Sequence, residues 1–389
     1  MLLFNLIRYK KSQYKPLYPH QVLGFRPTSL LSVLISLVLL TLVVAIFFFS
    51  FYGIEITLKP RFSNLEQLAA QPLSSCFSES GTSNTTMLPA ATYVDIAPGI
   101  RINDGWDCYD FAATLQMDPR MPRSKVIYHT YWRTDLRPFG DKQVATLRSF
   151  FATQDGNYST LYLWTSNADL ASEPLIQQLA SEFHSRFHVL HYSPEEVASG
   201  SPMENSSHLQ LQDRSAYLDG DLVRLLVLYK YGGVWFDMDT LFVRDLAPLL
   251  HHEWLGQWDC YGPIGFPMNG ALMRFNRKSP YVCEMLSDMA RSPLPTRNSI
   301  DWGARLYYRV YRRLIKNGVR PWSVLPWCFH DSMLCRADNS MPNAFVDAEF
   351  PTERLMQVFS YHWHNQWDKK PGSLFQFLTR YHDQLLARS

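Results

Sequence analysis

Residues 215–240 read SAYLDGDLVRLLVLYKYGGVWFDMDT, and three local signals within them set the fold. From Ser215 to Tyr231 helix formers and apolar residues predominate, and Gly232-Gly233 supplies a helix stop. On that helix Tyr217, Asp221, Arg224 and Leu228 fall at i, i+4, i+7 and i+11, one continuous stripe. An Asp and an Arg in apolar company are expected to face inward rather than to form an ordinary surface i,i+3 pair. Val234-Trp235-Phe236 then begins a strand that ends at Asp237-Met238-Asp239. Period two sends both carboxylates to one side. Two acids so placed repel unless a cation joins them. Hard oxygen ligands suit Mg²⁺ or Mn²⁺, which take further ligands from water and phosphates. A bare Asp-x-Asp also fits a solvated turn or a helix cap; the inward Asp/Arg pair and the aromatic strand favour a metal–diphosphate site.

Upstream, Val126–Thr130 is a short apolar run that suits a buried strand. Asp141–Ala152 reads as a helix and Thr160–Trp164 as a strand; Glu173–Phe187 is again helical and His188–His191 a third strand. Strands alternating with helices of this length imply a mostly parallel α/β sheet, whose ligands sit at the carboxyl ends of the strands. The ordered domain is expected over 121–389, beginning near Lys125. Residues 53–120 are rich in Ser, Thr, Pro and Asn and read as an irregular stem, part of it pinned by Cys76 and Cys108.

Leu30 to Tyr52 is a 23-residue stretch interrupted only by Ser32, Ser36, Thr41 and Ser50, the length an α-helix needs to cross a bilayer. It is longer than the apolar part of a cleaved signal peptide. Residues 1–27 carry Arg8, Lys10, Lys11, Lys15 and Arg26 and no acid. The positive-inside rule therefore makes 1–29 a cytoplasmic tail, 30–52 a signal anchor, and the remainder lumenal or external. A formal charge of +2 overall with +5 before the span leaves −3 for the rest, so no basic excess is available to neutralise nucleic acid. Asn84, Asn157 and Asn205 each open an Asn-x-Ser/Thr glycosylation sequon beyond the span. All six cysteines (Cys76, Cys108, Cys260, Cys283, Cys328, Cys335) lie there too. An even number without a Cys-x-x-Cys pair favours disulfides over zinc, with fifteen pairings open.

Asp221-Leu222-Val223-Arg224 followed by Tyr231–Asp239 resembles the central block of glycosyltransferase family 32. That family holds α-1,4-galactosyltransferases, α-1,4-N-acetylglucosaminyltransferases and the yeast initiating α-1,6-mannosyltransferase. Ile127–Trp132 resembles its opening strand and His362-Trp363-His364-Asn365 its closing segment, so the likeness covers about 125–368. The resemblance implies a GT-A fold, a nucleotide-sugar donor (UDP-sugar ahead of GDP-mannose), retention of configuration, and a divalent metal, usually Mn²⁺. It implies that Asp239 ligates the metal, with Asp237 on donor and metal, and that Asp221 and Arg224 hold the transferred sugar and the leaving phosphate. It places His129 and Trp132 beside the nucleotide, His362 and Asn365 over the diphosphate, and Asn269 on the acceptor side. Where the family carries Gly-Pro before its last helices, this chain has Gly303-Ala304.

The reading that follows is a Golgi type II membrane hexosyltransferase acting on a glycan or glycolipid. Two alternatives stand beside it: a membrane-anchored carbohydrate-binding protein of the same fold without turnover, and a nucleotide-sugar hydrolase. Read by themselves, His129 suits a satisfied core histidine, and the aromatic residues of the C-terminal third suit packing as well as sugar stacking.

Overall fold

The computed structural model describes residues 27–51, 67–68, 70–77, 105–120, 122–258, 266–296, 299–333, 335–336 and 338–388. The chain divides into two units, residues 1–58 and 59–389. In the first, Pro27–Phe51 is one continuous helix, and Leu30–Phe47 within it is long and apolar enough to cross a membrane.

In the second unit the described strands are β1 (Val126–Tyr131), β2 (Ser159–Thr165), β3 (Phe187–His191), β4 (Gly233–Phe236), β5 (Thr240–Phe242), β6 (Trp254–Gln257), β7 (Met268–Phe275), β8 (Ser323–Leu325) and β9 (Ser360–His362). Seven of them form one sheet in the order β3-β2-β1-β4-β7-β6-β8. β3, β2, β1 and β4 are mutually parallel. β7 runs antiparallel to β4 and β6, and β8 parallel to β6. Only β7 opposes the common direction, which is the mostly parallel, GT-A-like α/β arrangement expected. The chain steps outward from β1 to β2 and β3, then returns to the other side of β1 as β4. That reversal is where an open α/β sheet leaves a crevice at its carboxyl ends.

Side chains of β4 alternate between two cores. Val234 and Phe236 join Tyr128, Phe150 and Phe242 on one face, while Trp235 joins Leu222, Leu226 and Tyr307 on the other. The helix Tyr217–Tyr231 is buried at every residue from Leu218 to Leu228, so it is covered all round its middle rather than along one stripe. Tyr217, expected on the inward stripe, is 47% exposed. The Gly-Gly stop has a steric reason. Gly232 and Gly233 both have positive φ, and a Cβ on Gly233 would overlap the carbonyl oxygen of Ile127 on β1. The helix starts two residues later than Ser215, after a left-handed Ala216. Asp213 caps it from outside, accepting from the backbone N–H groups of Ser215, Tyr217 and Leu218 at 3.0–3.1 Å.

Two expectations need correction. The helix read over Glu173–Phe187 spans only Pro174–Glu182. Phe183 leaves it to stack on Phe151 at 3.9 Å between centroids, and Phe187 is already in β3. The ordered domain also begins well before Lys125. Asp107–Thr114 is a helix, its Cys108, Tyr109 and Ala112 fully buried and Cys108 bonded to Cys328. Cys76 is likewise bonded to Cys283. Part of the segment read as stem is thereby built into the domain. Cys335 is disulfide-bonded as well, and Cys260 lies outside the described residues. Asn157 and Asn205 are exposed; Asn84 lies outside the described residues.

Candidate active site

A cleft of about 610 Å³ opens at the carboxyl ends of β1 and β4. Asp221 and Arg224 from the Tyr217–Tyr231 helix, Asp237 and Asp239 after β4, and Trp132 after β1 all line it. The C-terminal segment reaches the same place because β5 pairs with β9, Thr240 opposite His362. The Trp363 amide continues that ladder to the Asp239 carbonyl at 3.0 Å. Chain positions some 120 residues apart thus become neighbours.

Arg224 is held from several sides. Its Nη2 donates to Asp237 at 3.0 and 3.3 Å, its Nη1 lies 3.3 Å from Asp221 Oδ1, and the guanidinium sits 5.5 Å above the Trp235 ring. Trp235 Nε1 donates to Asp237 at 2.7 Å, fixing that carboxylate from the other side. Burial pushes Asp221 up to about 7, with Arg224 pulling the other way. Burial also raises Asp237. Burial alone would raise Asp239, but the His362 imidazole 3.3 Å away and the Asn365 amide, donating at 2.7 Å, hold it below its ordinary value.

Ligand atoms of Asp237, Asp239 and His362 lie within 4.8 Å of one another. Two carboxylates and an imidazole suit Mn²⁺ or Mg²⁺, and the two like charges, Asp239 buried and Asp237 half-buried, are the feature such a cation would offset. The residues present therefore fit a divalent metal.

Of the other expected residues, Trp132 lines the cleft and packs edge-on against Trp367 at 4.8 Å. Asn365 lines it too, but it serves Asp239 through its backbone while its side chain accepts from Trp367 Nε1. Asn269 is in the cleft wall, its Oδ1 accepting from the Ala271 amide at 3.0 Å. The Gly303-Ala304 pair also lines the wall.

His129 is corrected: it does not line the cleft. It is fully buried, with Nε2 on the Gly232 carbonyl at 2.9 Å and Nδ1 accepting from Trp164 Nε1 at 3.1 Å. Its work is to tie β1 to the Gly-Gly turn. Several neighbours of the site carry no readable signal of their place in it, among them Tyr307, Asp331 and Trp367. Only the Trp235–Asp237 spacing, two apart with Asp237 directly after the strand, could have revealed a pair.

The buried His129 carries a pH consequence. Burial lowers it to about 4, against about 6.5 in an unfolded chain. Below pH 6.5 the unfolded state takes up a proton that the folded state refuses, so stability falls as pH drops from 6.5 to 4. The loss attributable to this group is about 3 kcal/mol. His330 and His382 are lowered to about 4 as well. Urea midpoints of His129→Gln between pH 7 and 4 should therefore show a flatter profile than the parent, with the remaining slope shared by the other shifted groups, His330, His382 and Asp221 among them. A slope equal to the parent's would contradict a neutral His129.

Parts of this chain are similar to known proteins. Residues 154–255 match the family described as glycosyltransferase sugar-binding region containing DXD motif. An uncharacterised Arabidopsis thaliana protein is 41% identical over 68 residues, 18% of this chain and 10% of its own. Inositol phosphoceramide mannosyltransferase 3 of Schizosaccharomyces pombe is 35% identical over 72 residues, 18% of this chain and 19% of its own. The chain thus spans a tenth to a fifth of the length of these relatives. The PaToxG glycosyltransferase superposes with a TM-score of 0.38 at 15% identity, covering 54% of this chain and 75% of that one. The matched span, residues 154–255, includes both acids of Asp237-Met238-Asp239 and the Asp221/Arg224 helix, so the likeness falls on the residues that line the cleft.

Proposed function

We propose that the protein is a metal-dependent hexosyltransferase that moves a hexose or N-acetylhexosamine from a nucleotide-sugar to a glycan or glycolipid with retention of configuration. The observation that carries this reading is the convergence of Asp237, Asp239 and His362 within 4.8 Å of one another, with Arg224 hydrogen-bonded to Asp237. Asp239, Asp237 and His362 would hold Mn²⁺ or Mg²⁺, which when bound neutralises the donor's diphosphate as a Lewis acid. Arg224 faces the same cleft as a fixed fork and donates to the phosphate oxygen that gains charge as the sugar leaves. Asp221, with its pKa near 7, accepts from a sugar hydroxyl when ionised and donates to one when protonated. Trp132 and Trp367 form an aromatic rim for the nucleotide base and keep water from that edge. Asn269 binds on the acceptor side.

The apolar helix and the basic residues before it support a single-pass type II anchor with the domain in the Golgi lumen. Exposed Asn157 and Asn205 are suitably placed for glycans. Likeness of the central block to the α-1,4-transferases favours a UDP-sugar; the name of the fission-yeast relative, a mannosyltransferase, favours mannose as the transferred sugar.

One experiment separates these options from the two alternatives. UDP-Gal, UDP-GlcNAc, UDP-Glc and GDP-Man are each incubated with the protein and Mn²⁺, with and without a glycan or glycolipid acceptor. Transferase activity appears as nucleotide release stimulated by acceptor and abolished by EDTA. Release equal with and without acceptor would identify a hydrolase. Metal-dependent binding of a donor with no release would identify a binding protein.

A further inference from the structure

Beside the Asp-x-Asp site lies a second group of ligand atoms, on Asp331 and His364, which the transferase reading leaves without a role, and on His362, which it uses through its other nitrogen. Asp331 is completely buried, and its Oδ1 sits 2.6 Å from His364 Nε2. The same oxygen is 3.8 Å from His362 Nδ1, beyond hydrogen-bond reach. That Nδ1 is a buried nitrogen with no hydrogen-bond partner, on a residue 5% exposed, and it points at Asp331 and His364. The three ligand atoms lie within 4.8 Å of one another. The rings of His362 and His364 are 4.1 Å apart. His364 also lines the cleft, so this group has one side open to small solutes.

We infer that Asp331, His362 and His364 form a binding site for Zn²⁺, distinct from the Asp237/Asp239 site and sharing His362 with it. Two imidazoles and a carboxylate are a zinc donor set, with a fourth position left to water on the cleft side. Ligands at zinc bond lengths stand about 3.4 Å apart in a tetrahedron. Entry of the ion therefore opens the 2.6 Å pair by less than an ångström and slightly closes the 3.8 Å one. The other edge of His362 already meets what a zinc-bound histidine requires. Its Nε2 faces Asp239 at 3.3 Å, and a ligating imidazole usually donates its second N–H to a carboxylate or carbonyl.

The sharing has a consequence. With Zn²⁺ on Nδ1, Nε2 keeps its proton and donates it to Asp239. With a metal on Asp237 and Asp239, Nε2 must give up that proton to act as a ligand. One imidazole serves one site at a time, so Zn²⁺ opposes the metal of the Asp-x-Asp site without occupying its carboxylates.

The test uses the full-length protein, stripped by chelator and with no sugar donor present, so its result is independent of whether the protein is a transferase. Zn²⁺ is titrated against a chromogenic chelator, and Co²⁺ is followed by visible absorption. The parent should bind one equivalent of Zn²⁺ and give the intense bands of tetrahedral Co²⁺. Asp237→Asn should retain both. His364→Ala should weaken Zn²⁺ at least about tenfold while leaving Mn²⁺ binding, read by electron paramagnetic resonance, in place. One equivalent of Zn²⁺ should weaken Mn²⁺ binding by the parent about 10–100-fold. Zn²⁺ binding lost in Asp237→Asn and kept in His364→Ala would place the ion on the Asp-x-Asp acids and overturn the assignment. So would a parent that binds no Zn²⁺. Should His364→Ala fail to fold, Asp237→Asn decides on its own: Zn²⁺ and the tetrahedral Co²⁺ bands retained there support the assignment, and their loss overturns it.

Discussion

Asp239→Asn should leave a folded protein whose sugar transfer is slower by at least about 10²–10³-fold. The substitution keeps the shape of a side chain that is 2% exposed and removes its charge. Relief of the repulsion with Asp237 offsets part of what is lost with the His362 and Asn365 contacts, so the melting temperature should move little. The carboxylate that His362 faces is gone, and with it one of the two anionic ligands of the metal set. Donor binding should therefore stop responding to added Mn²⁺. The check is donor affinity measured with Mn²⁺ and with EDTA, beside the transfer rate. A variant that stays folded and transfers at the parent's rate would remove Asp239 from the site.

Arg224→Ala should slow transfer by a similar about 10²–10³-fold while metal-dependent donor binding survives, since the arginine's charge matters most as the leaving group forms. Lys at 224 should not restore the rate, because a point charge cannot bridge Asp221 and Asp237 as the planar fork does. The effect on stability should depend on pH. Without the arginine, Asp221 rises further above its unfolded value of about 3.9, and the folded state holds its proton more tightly than the unfolded. The variant should be closest to the parent on the acid side and lose stability as pH rises toward 8. Denaturant midpoints at pH 5.5 and 8 test that sign. Gly270 gives a second route to the same displacement. A Cβ there would overlap Arg224 Nη1 and Tyr307 Oη, so Gly270→Ala should mimic the loss of rate with the arginine still present.

The central block was legible because each of its signals is local. Helix formers, a Gly-Gly stop and a strand ending in two acids lie within 26 residues, and Asp221, Arg224, Asp237 and Asp239 meet as that order implies. What was not legible depends on distant pairing. β9 is three residues long and carries no period of its own, so the contacts of His362 with both Asp239 and Asp331 follow only from its register against β5. His129 shows the converse: a histidine on an apolar strand reads the same whether it faces a ligand or a backbone carbonyl. The helix Asp107–Thr114 was missed because its eight residues are held by Cys108–Cys328 and by Tyr109 Oη on the Asn339 carbonyl, partners more than 200 positions away.

Those two described bridges, Cys76–Cys283 and Cys108–Cys328, span 207 and 220 residues. At a synthesis rate of about 5–20 residues per second, Cys108 leaves the ribosome roughly 10–45 s before its partner. β1, β2 and β3 are complete well before then and can pair as they emerge. The helix around Cys108 cannot, because the surface it buries against has not yet been made. The amino-terminal edge of the domain is therefore translated first but secured only after the last strand of the seven-stranded sheet, Ser323–Leu325, has been made. Any nascent chain arrested before Cys328 carries a reactive thiol at position 108, open to the wrong partner.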